Sequence, residues 1–247
     1  MGKSRSPGFL PLSSEYIFVF GEDSKKRLVK LGLPEKKIII TGSPQFDRYL
    51  YKKRISKKEK KIVFFPSSES SYNVLPEAHL TKKKERETFL MLFKALKEFP
   101  EYTLIIKGRL GWDMNNLPKI IAKEKCMRNV KFIIDADPSE VMANAEIVIV
   151  NVTTLVLDAL LLKKPIISIW FKDMKKFCGY EDSNYIQTVY NSTQLKMAIK
   201  KNLNKIKEDS LKRKLYLKKQ LAVFKEGSSK KISRIVKNLL TENNPGL

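Results

Sequence analysis

The chain holds 247 residues, 43% of them hydrophobic and 10% aromatic. That suffices for one substantial core and part of a second, and it excludes a wholly disordered chain. Forty-nine basic residues face 26 acidic ones, a net charge of +23, which suits an anionic partner such as a membrane face, a phosphorylated substrate or nucleic acid. No apolar run approaches the ~20 residues of a spanning helix. Met1–Pro7 leads into no apolar segment of signal-peptide type, and Met1-Gly2 with Ser6 matches a myristoylation pattern that recurs by chance. Two cysteines, Cys126 and Cys178, and one histidine, His79, are too few for a disulfide framework, a metal cluster or most histidine-centred triads. A reducing, cytoplasmic compartment is the expectation.

In chain order, short β-rich runs occur at residues 16–20, 38–41, 62–65, 102–106, 130–134, 147–150 and 166–170. Most are continuously apolar, as strands buried on both faces of a parallel sheet are. Between them lie helical patterns. Residues 83–98 set Phe89, Leu92, Phe93 and Leu96 on one stripe before Pro100. Asp137-Pro138-Ser139-Glu140 opens a second helix with a capping acid, a proline in the first turn and a glutamate three residues after the cap. Residues 154–162 form an apolar third, and 194–207, 210–224 and 228–240 form a helical tail. From residue 61 the alternation predicts an α/β fold, a doubly wound Rossmann-like parallel sheet. The expected organisation is a small N-terminal segment at 1–60, a sheet domain at 61–192 and a basic helical tail at 193–247 that packs back on it.

The charge is uneven. Residues 52–61 carry seven basic side chains and one acid, and residues 196–240 carry 15 basic and three acidic. Lysine-rich solvated helix faces account for much of this. The basic stretches are nearly free of aromatics, whereas nucleic-acid surfaces interleave the two, which argues against nucleic acid.

Ligands on doubly wound sheets bind beyond the carboxyl ends of the strands. Residues 147–160 read as a buried strand, a short turn and a helix, with Thr153 and Thr154 at the helix start and Asp158 one turn on. Helix amides and hydroxyls there suit a phosphate, and the acid suits ribose hydroxyls; the alternative is a plain helix cap and a solvated acid. Ser67 and Ser68 stand in a hydroxyl-rich loop after the first sheet strand, placed to donate to phosphate or acceptor, or simply solvated. Lys107 and Arg109 end another strand, where cations would offset the charge of a diphosphate leaving group, or are plain surface cations. Ile134 and Asp135 end the next, where backbone groups would border a base; alternatively, Asp135 or Asp137 only caps the following helix. His79, in a loop before a helix, is a candidate general acid or base; the alternative is a non-catalytic loop histidine.

Three segments resemble the donor-binding half of GT-B glycosyltransferases and their CDP-glycerol glycerophosphotransferase-like and UDP-N-acetylglucosamine 2-epimerase-like relatives. They are Tyr16–Glu22 with Gly32-Leu33-Pro34 and Ile40–Asp47; Thr153-Thr154 with Asp158-Ala159-Leu160 and Lys164-Pro165-Ile166; and Phe224–Ile232. The resemblance spans nearly the whole chain, in order. It implies a nucleotide-sugar donor as substrate, with no separate cofactor and no metal, and a lipid-linked or polysaccharide acceptor. The basic tail would then face an anionic membrane from the cytoplasmic side. Asp158 stands where relatives commonly have Glu, and Lys107-Gly108-Arg109 where many have Lys-x-His-Pro. About 60 residues occupy the place of a full acceptor domain, so the chain is expected to be half of a two-polypeptide enzyme with the acceptor half on another chain, or a fragment of a longer reading frame, and in either case to self-associate. The function implied is glycosyl transfer; the rivals are a 2-epimerase-like enzyme and a non-catalytic binding scaffold.

Overall fold

In chain order the elements are β1 (Ile17–Val19), α1 (Glu22–Lys30), β2 (Ile38–Ile40), α2 (Arg48–Tyr51), β3 (Lys61–Phe65), α3 (Lys82–Leu96), β4 (Thr103–Lys107) and β5 (Val130–Ile133). Then follow α4 (Pro138–Ala143), β6 (Ile147–Val150), α5 (Leu155–Leu161), β7 (Ile166–Ile169), β8 (Ile186–Val189), α6 (Ser192–Leu203), α7 (Ser210–Gln220) and α8 (Ser228–Asn243). This computed structural model describes residues 12–51, 59–67, 81–109, 119, 129–151, 153–172, 185–204 and 210–243. Ser68, His79, Cys126, Cys178 and the N-terminal Met1-Gly2 lie outside them. The chain divides into two units: a terminal unit, Met1–Lys53 with Asp209–Leu247, and a sheet unit, Arg54–Glu208.

The sheet unit carries six parallel strands in the order β5-β4-β3-β6-β7-β8. Counted from β3 this is 3-2-1-4-5-6, the doubly wound order whose strand sequence reverses between β3 and β6. Side chains alternate across a strand, and on one face Ile62, Phe64, Leu104, Ile106, Ile147, Ile149, Ile167 and Ile169 form a core with Phe89 and Leu92 of α3 and Leu195 and Ile199 of α6. Phe64 meets Phe89 edge to face, ring centroids 5.7 Å apart. Each such fully buried side chain contributes about 1.5–3 kcal/mol. Helix α3 starts at Thr81, whose hydroxyl accepts the Lys84 amide hydrogen. Helix α6 starts two residues earlier than its apolar spacing predicts. Asn191 accepts from the Gln194 amide and Gln194 Oε1 accepts from the Tyr190 amide, a reciprocal cap. The helix therefore packs within the sheet unit, and the terminal unit takes up the chain again at Asp209.

β8 is absent from the sequence expectation. Only Ile186 and Val189 of its four residues are buried, the half-exposed pattern of an edge strand, and Gln187-Thr188 interrupts the apolar signal.

In the terminal unit, β1 and β2 pair in parallel over a small core of Val19, Leu28, Leu33 and Ile38. Helix α1 packs along α7. A Cβ on Gly21 would stand 2.7 Å from the carbonyl oxygens of Lys219 and Gln220, so only glycine lets the end of α7 approach there. The two ends of the chain are clasped by Asp47. Its Oδ1 accepts from the Ser228 amide at 2.7 Å, and its Oδ2 from the Ser229 amide at 2.9 Å and the Ser229 hydroxyl at 2.7 Å. A carboxylate 181 residues away thus caps the start of α8.

Burial alone would push the Asp47 carboxyl up, but the hydrogen bonds from Ser229 and Ser228 together outweigh it and hold the group below its ordinary 3.8. A carboxyl lowered on folding stabilises the folded state above its ordinary value, and that contribution fades as pH falls through the lowered one. Asp47→Ala is expected to cost about 1–2 kcal/mol, the worth of a lost helix cap. The helix signal by circular dichroism should melt lower in the variant at pH 6. Wild type and variant should converge as the pH is taken below 3.8.

Candidate functional site

The strand order reverses between β3 and β6, where Phe65 and Val150 are register partners, and sheets of this order take their ligands beyond the carboxyl ends of the strands at that reversal. Ser67 follows β3 and is buried. Asn151 follows β6, also buried, and its side-chain amide donates to the Ile169 carbonyl at 3.3 Å, tying the end of β6 to the end of β7. Beside β7, the Lys84 ammonium of α3 stands 5.8 Å from the centre of the Phe171 ring. Sequence reasoning singled out none of Asn151, Lys84 and Phe171. For Asn151 the signal was there, a polar residue directly after four buried ones; Lys84 and Phe171 are brought together only by the fold.

The two threonines part company. Thr153 Oγ1 accepts the Leu155 amide hydrogen at 3.3 Å, so Thr153 serves the helix start. Thr154 occupies the cap position without a side-chain capping bond and lies exposed. Asp158 is only 3% exposed, so it sits in the interior side of α5 and is not a solvated acid.

The strand ends toward β5 are engaged with each other. Lys107 is buried, and its ammonium donates to the carbonyls of Gly108 at 2.7 Å and Ile134 at 2.6 Å, joining β4 to the residue after β5. The Ile134 carbonyl also accepts from the Ala136 amide at 3.1 Å. Arg109 and Asp135 are exposed. Asp137 caps α4, with Oδ1 accepting from the Ser139 and Glu140 amides at 2.7 and 3.3 Å. At the other end of α4, the buried Lys164 ammonium donates to the Ala143 and Ala145 carbonyls at 2.6 and 2.7 Å, the arrangement the negative end of a helix favours. Ser67, Thr153, Thr154, Asn151 and Asp158 thus collect around β3, β6 and α5, while Lys107, Arg109, Ile134 and Asp135 collect at the ends of β4 and β5. Among the described residues no group of three or more His, Cys, Asp or Glu is placed to hold a metal ion, and no helix is long and apolar enough to cross a membrane.

A parallel sheet of this order, with hydroxyls and a buried acid around its reversal point, defines an α/β domain of the Rossmann-like kind found as one half of GT-B enzymes. The chain belongs to the UDP-N-acetylglucosamine 2-epimerase family, whose model matches residues 10–239. Among solved structures it is similar to the UDP-GlcNAc 2-epimerase of Methanocaldococcus jannaschii in complex with UDP-GlcNAc and UDP (17% identity, TM-score 0.65, covering 91% of this chain and 61% of that one). It is also similar to the GtfA/B complex (14%, TM-score 0.54, 91% and 45%). A third likeness is to the wall teichoic acid polymerase TagF (14%, TM-score 0.52, 93% and 59%). At these identities the likeness is one of fold. The chain spans about 60% of the length of the first and third of these structures. No curated protein matches the sequence.

Proposed function

We propose that the sheet unit binds the nucleotide of a nucleotide sugar at the β3–β6 edge, and that the protein is the donor-binding half of a glycosyltransferase. The observation that carries this is the reversal-point edge itself, with the exposed Thr154 at the start of α5 and the buried Asp158 one turn on, in a family named for a UDP-sugar enzyme. In this reading the phosphates rest against Thr154, Thr153 and the first turn of α5, with Ser67 across the edge, and ribose hydroxyls donate to Asp158. The residues after β5, Ile134 and Asp135, border the base. With Lys107 committed to two carbonyls, Arg109 is the cation facing outward to offset the charge of the departing diphosphate. Catalysis is then positional and electrostatic, with the sugar held for an acceptor hydroxyl to attack. The acceptor, a lipid-linked or polymeric sugar, would be held by a further α/β lobe; the GtfA/B complex is one assembly among the similar folds.

A second reading is epimerisation at C2 of a UDP-sugar, favoured by the family match. It breaks the C2–H bond, which transfer leaves intact. Incubation with UDP-GlcNAc in heavy water therefore separates the two: deuterium at C2 marks epimerisation, and protium retained with released UDP marks transfer or hydrolysis.

The test of the site is a thermal-shift titration of the purified chain with UDP, CMP, CDP, GDP and ADP. One base family should raise the melting temperature, by an amount equivalent to about 2.7 kcal/mol at 100 times its dissociation constant. Thr154→Val should weaken that ligand about tenfold, the worth of one hydrogen bond to a charged group, with the ligand-free melt unchanged because Thr154 makes no capping bond. Equal affinity in the variant removes Thr154 from the site.

A further inference from the structure

Helix α7 turns part of its apolar surface outward. Arg213 and Gln220 lie buried, with Tyr216 and Leu217 half-buried beside them, whereas Leu211 and Leu215 are 65% and 55% exposed. Gln220 donates to the Asp23 carboxylate of α1 and so helps to hold α7 to its own unit. At 100° per residue the two leucines share one outward face with Lys214, Lys218 and Lys219, all exposed. Residues 210–220 contain five basic side chains and no acidic one. The terminal unit as a whole carries 21 basic and eight acidic residues, a net of +13, against 28 and 18 in the sheet unit.

We propose that α7 is an interfacial helix that seats the protein on an anionic lipid surface, with Leu211 and Leu215 entering the headgroup layer and Lys214, Lys218 and Lys219 pairing with lipid phosphates. Two features favour lipid over an acidic protein partner. The cations are lysines, which are depleted from protein interface cores, and the face holds no aromatic or arginine anchor. Lysine stems can instead lie along apolar surface while their ammonium groups stay at the level of the lipid phosphates. The proposal stands apart from the nucleotide-sugar reading, since it uses no residue of the sheet unit.

Flotation of the full-length chain with vesicles tests it. At 50 mM salt the protein is expected to float with phosphatidylcholine vesicles containing ~30% phosphatidylglycerol, not with phosphatidylcholine alone, and to be released as salt rises. Each lysine near the surface is worth about fivefold in binding, so the triple variant Lys214→Glu, Lys218→Glu, Lys219→Glu should bind at least ~100-fold more weakly. Leu211→Gln with Leu215→Gln should also lose most binding. Both variants change exposed side chains, and their circular dichroism melts should match wild type. If the triple variant fails to fold, Leu215→Trp serves instead: its added emission should shift to the blue on anionic vesicles only. Absence of wild-type flotation, or flotation unchanged in both variants, overturns the proposal. So does loss with the lysine variant but not the leucine variant, together with no blue shift, the result expected of an acidic protein's docking face.

Discussion

Gly42→Ala is expected to unfold the terminal unit while the sheet unit stays folded. Gly42 has φ +71, a left-handed conformation that costs a side-chain-bearing residue about 1–2 kcal/mol. A Cβ there would also lie 2.3 Å from the Ala222 carbonyl oxygen and 2.4 Å from the Ser228 hydroxyl. The serine hydroxyl can rotate away. The Ala222 carbonyl is backbone, and its residue is fixed by the amide of Ala222 donating to the Phe20 carbonyl at 2.8 Å. Relief means moving the segment that joins α7 to α8, and with it the Ser228 and Ser229 amides off Asp47. Strain and lost capping together reach about 4 kcal/mol or more, a large part of the stability of so small a unit. Both tryptophans, Trp112 and Trp170, fall in the sheet unit. The expected signature is an early loss of helical circular dichroism with the tryptophan transition little moved. A variant whose two probes both match wild type would show that the α7–α8 segment yields at little cost.

Lys164→Met is expected to destabilise the sheet unit by about 3 kcal/mol. Its ammonium makes two short bonds to carbonyls at the end of α4 from a buried position. Hydrogen bonds to a charged group are worth about 1.5–3 kcal/mol, and a buried carbonyl left without its donor adds a desolvation cost. Methionine fills the same space, so packing is nearly conserved and the loss is electrostatic. Trp170 lies buried directly after β7, so urea unfolding followed by tryptophan emission should show the midpoint fall with the slope unchanged. Lys164→Arg should recover part of the loss. Lys164 belongs to the segment that resembles a donor motif, and in the structure it acts as scaffold, anchoring the strand whose neighbour, β6, leads into the candidate site.

The sheet was legible because its strands are apolar in unbroken runs. Ile147–Val150 is buried at every position, and no other environment suits four consecutive branched residues so well. Ile186–Val189 was not legible, because an edge strand needs only half that signal. The candidate site was legible as a place, the carboxyl edge of the sheet, but not as a set of contacts. Lys107 shows why. A lysine at a strand end reads as a cation for a ligand, yet its flexible stem lets the ammonium turn to the Gly108 and Ile134 carbonyls instead. Thr153 and Thr154 are equivalent in sequence and are separated only by which hydroxyl takes the Leu155 amide. The Asp47 clasp was beyond reach for another reason: its two motifs were visible separately, and nothing in a linear pattern joins residues 181 positions apart.

That clasp also sets an order of events on the ribosome. Gly42 and Asp47 leave the exit tunnel long before Ser228 and Ser229, an interval of about 10–40 s at ordinary elongation speeds. Through that time β1, α1 and β2 exist without α7 and α8, and the whole sheet unit is made in between. The sheet unit has its own core and can fold while the terminal unit still waits for its later helices. Of the two units, the terminal one is therefore completed second, although its strands are made before the sheet unit begins.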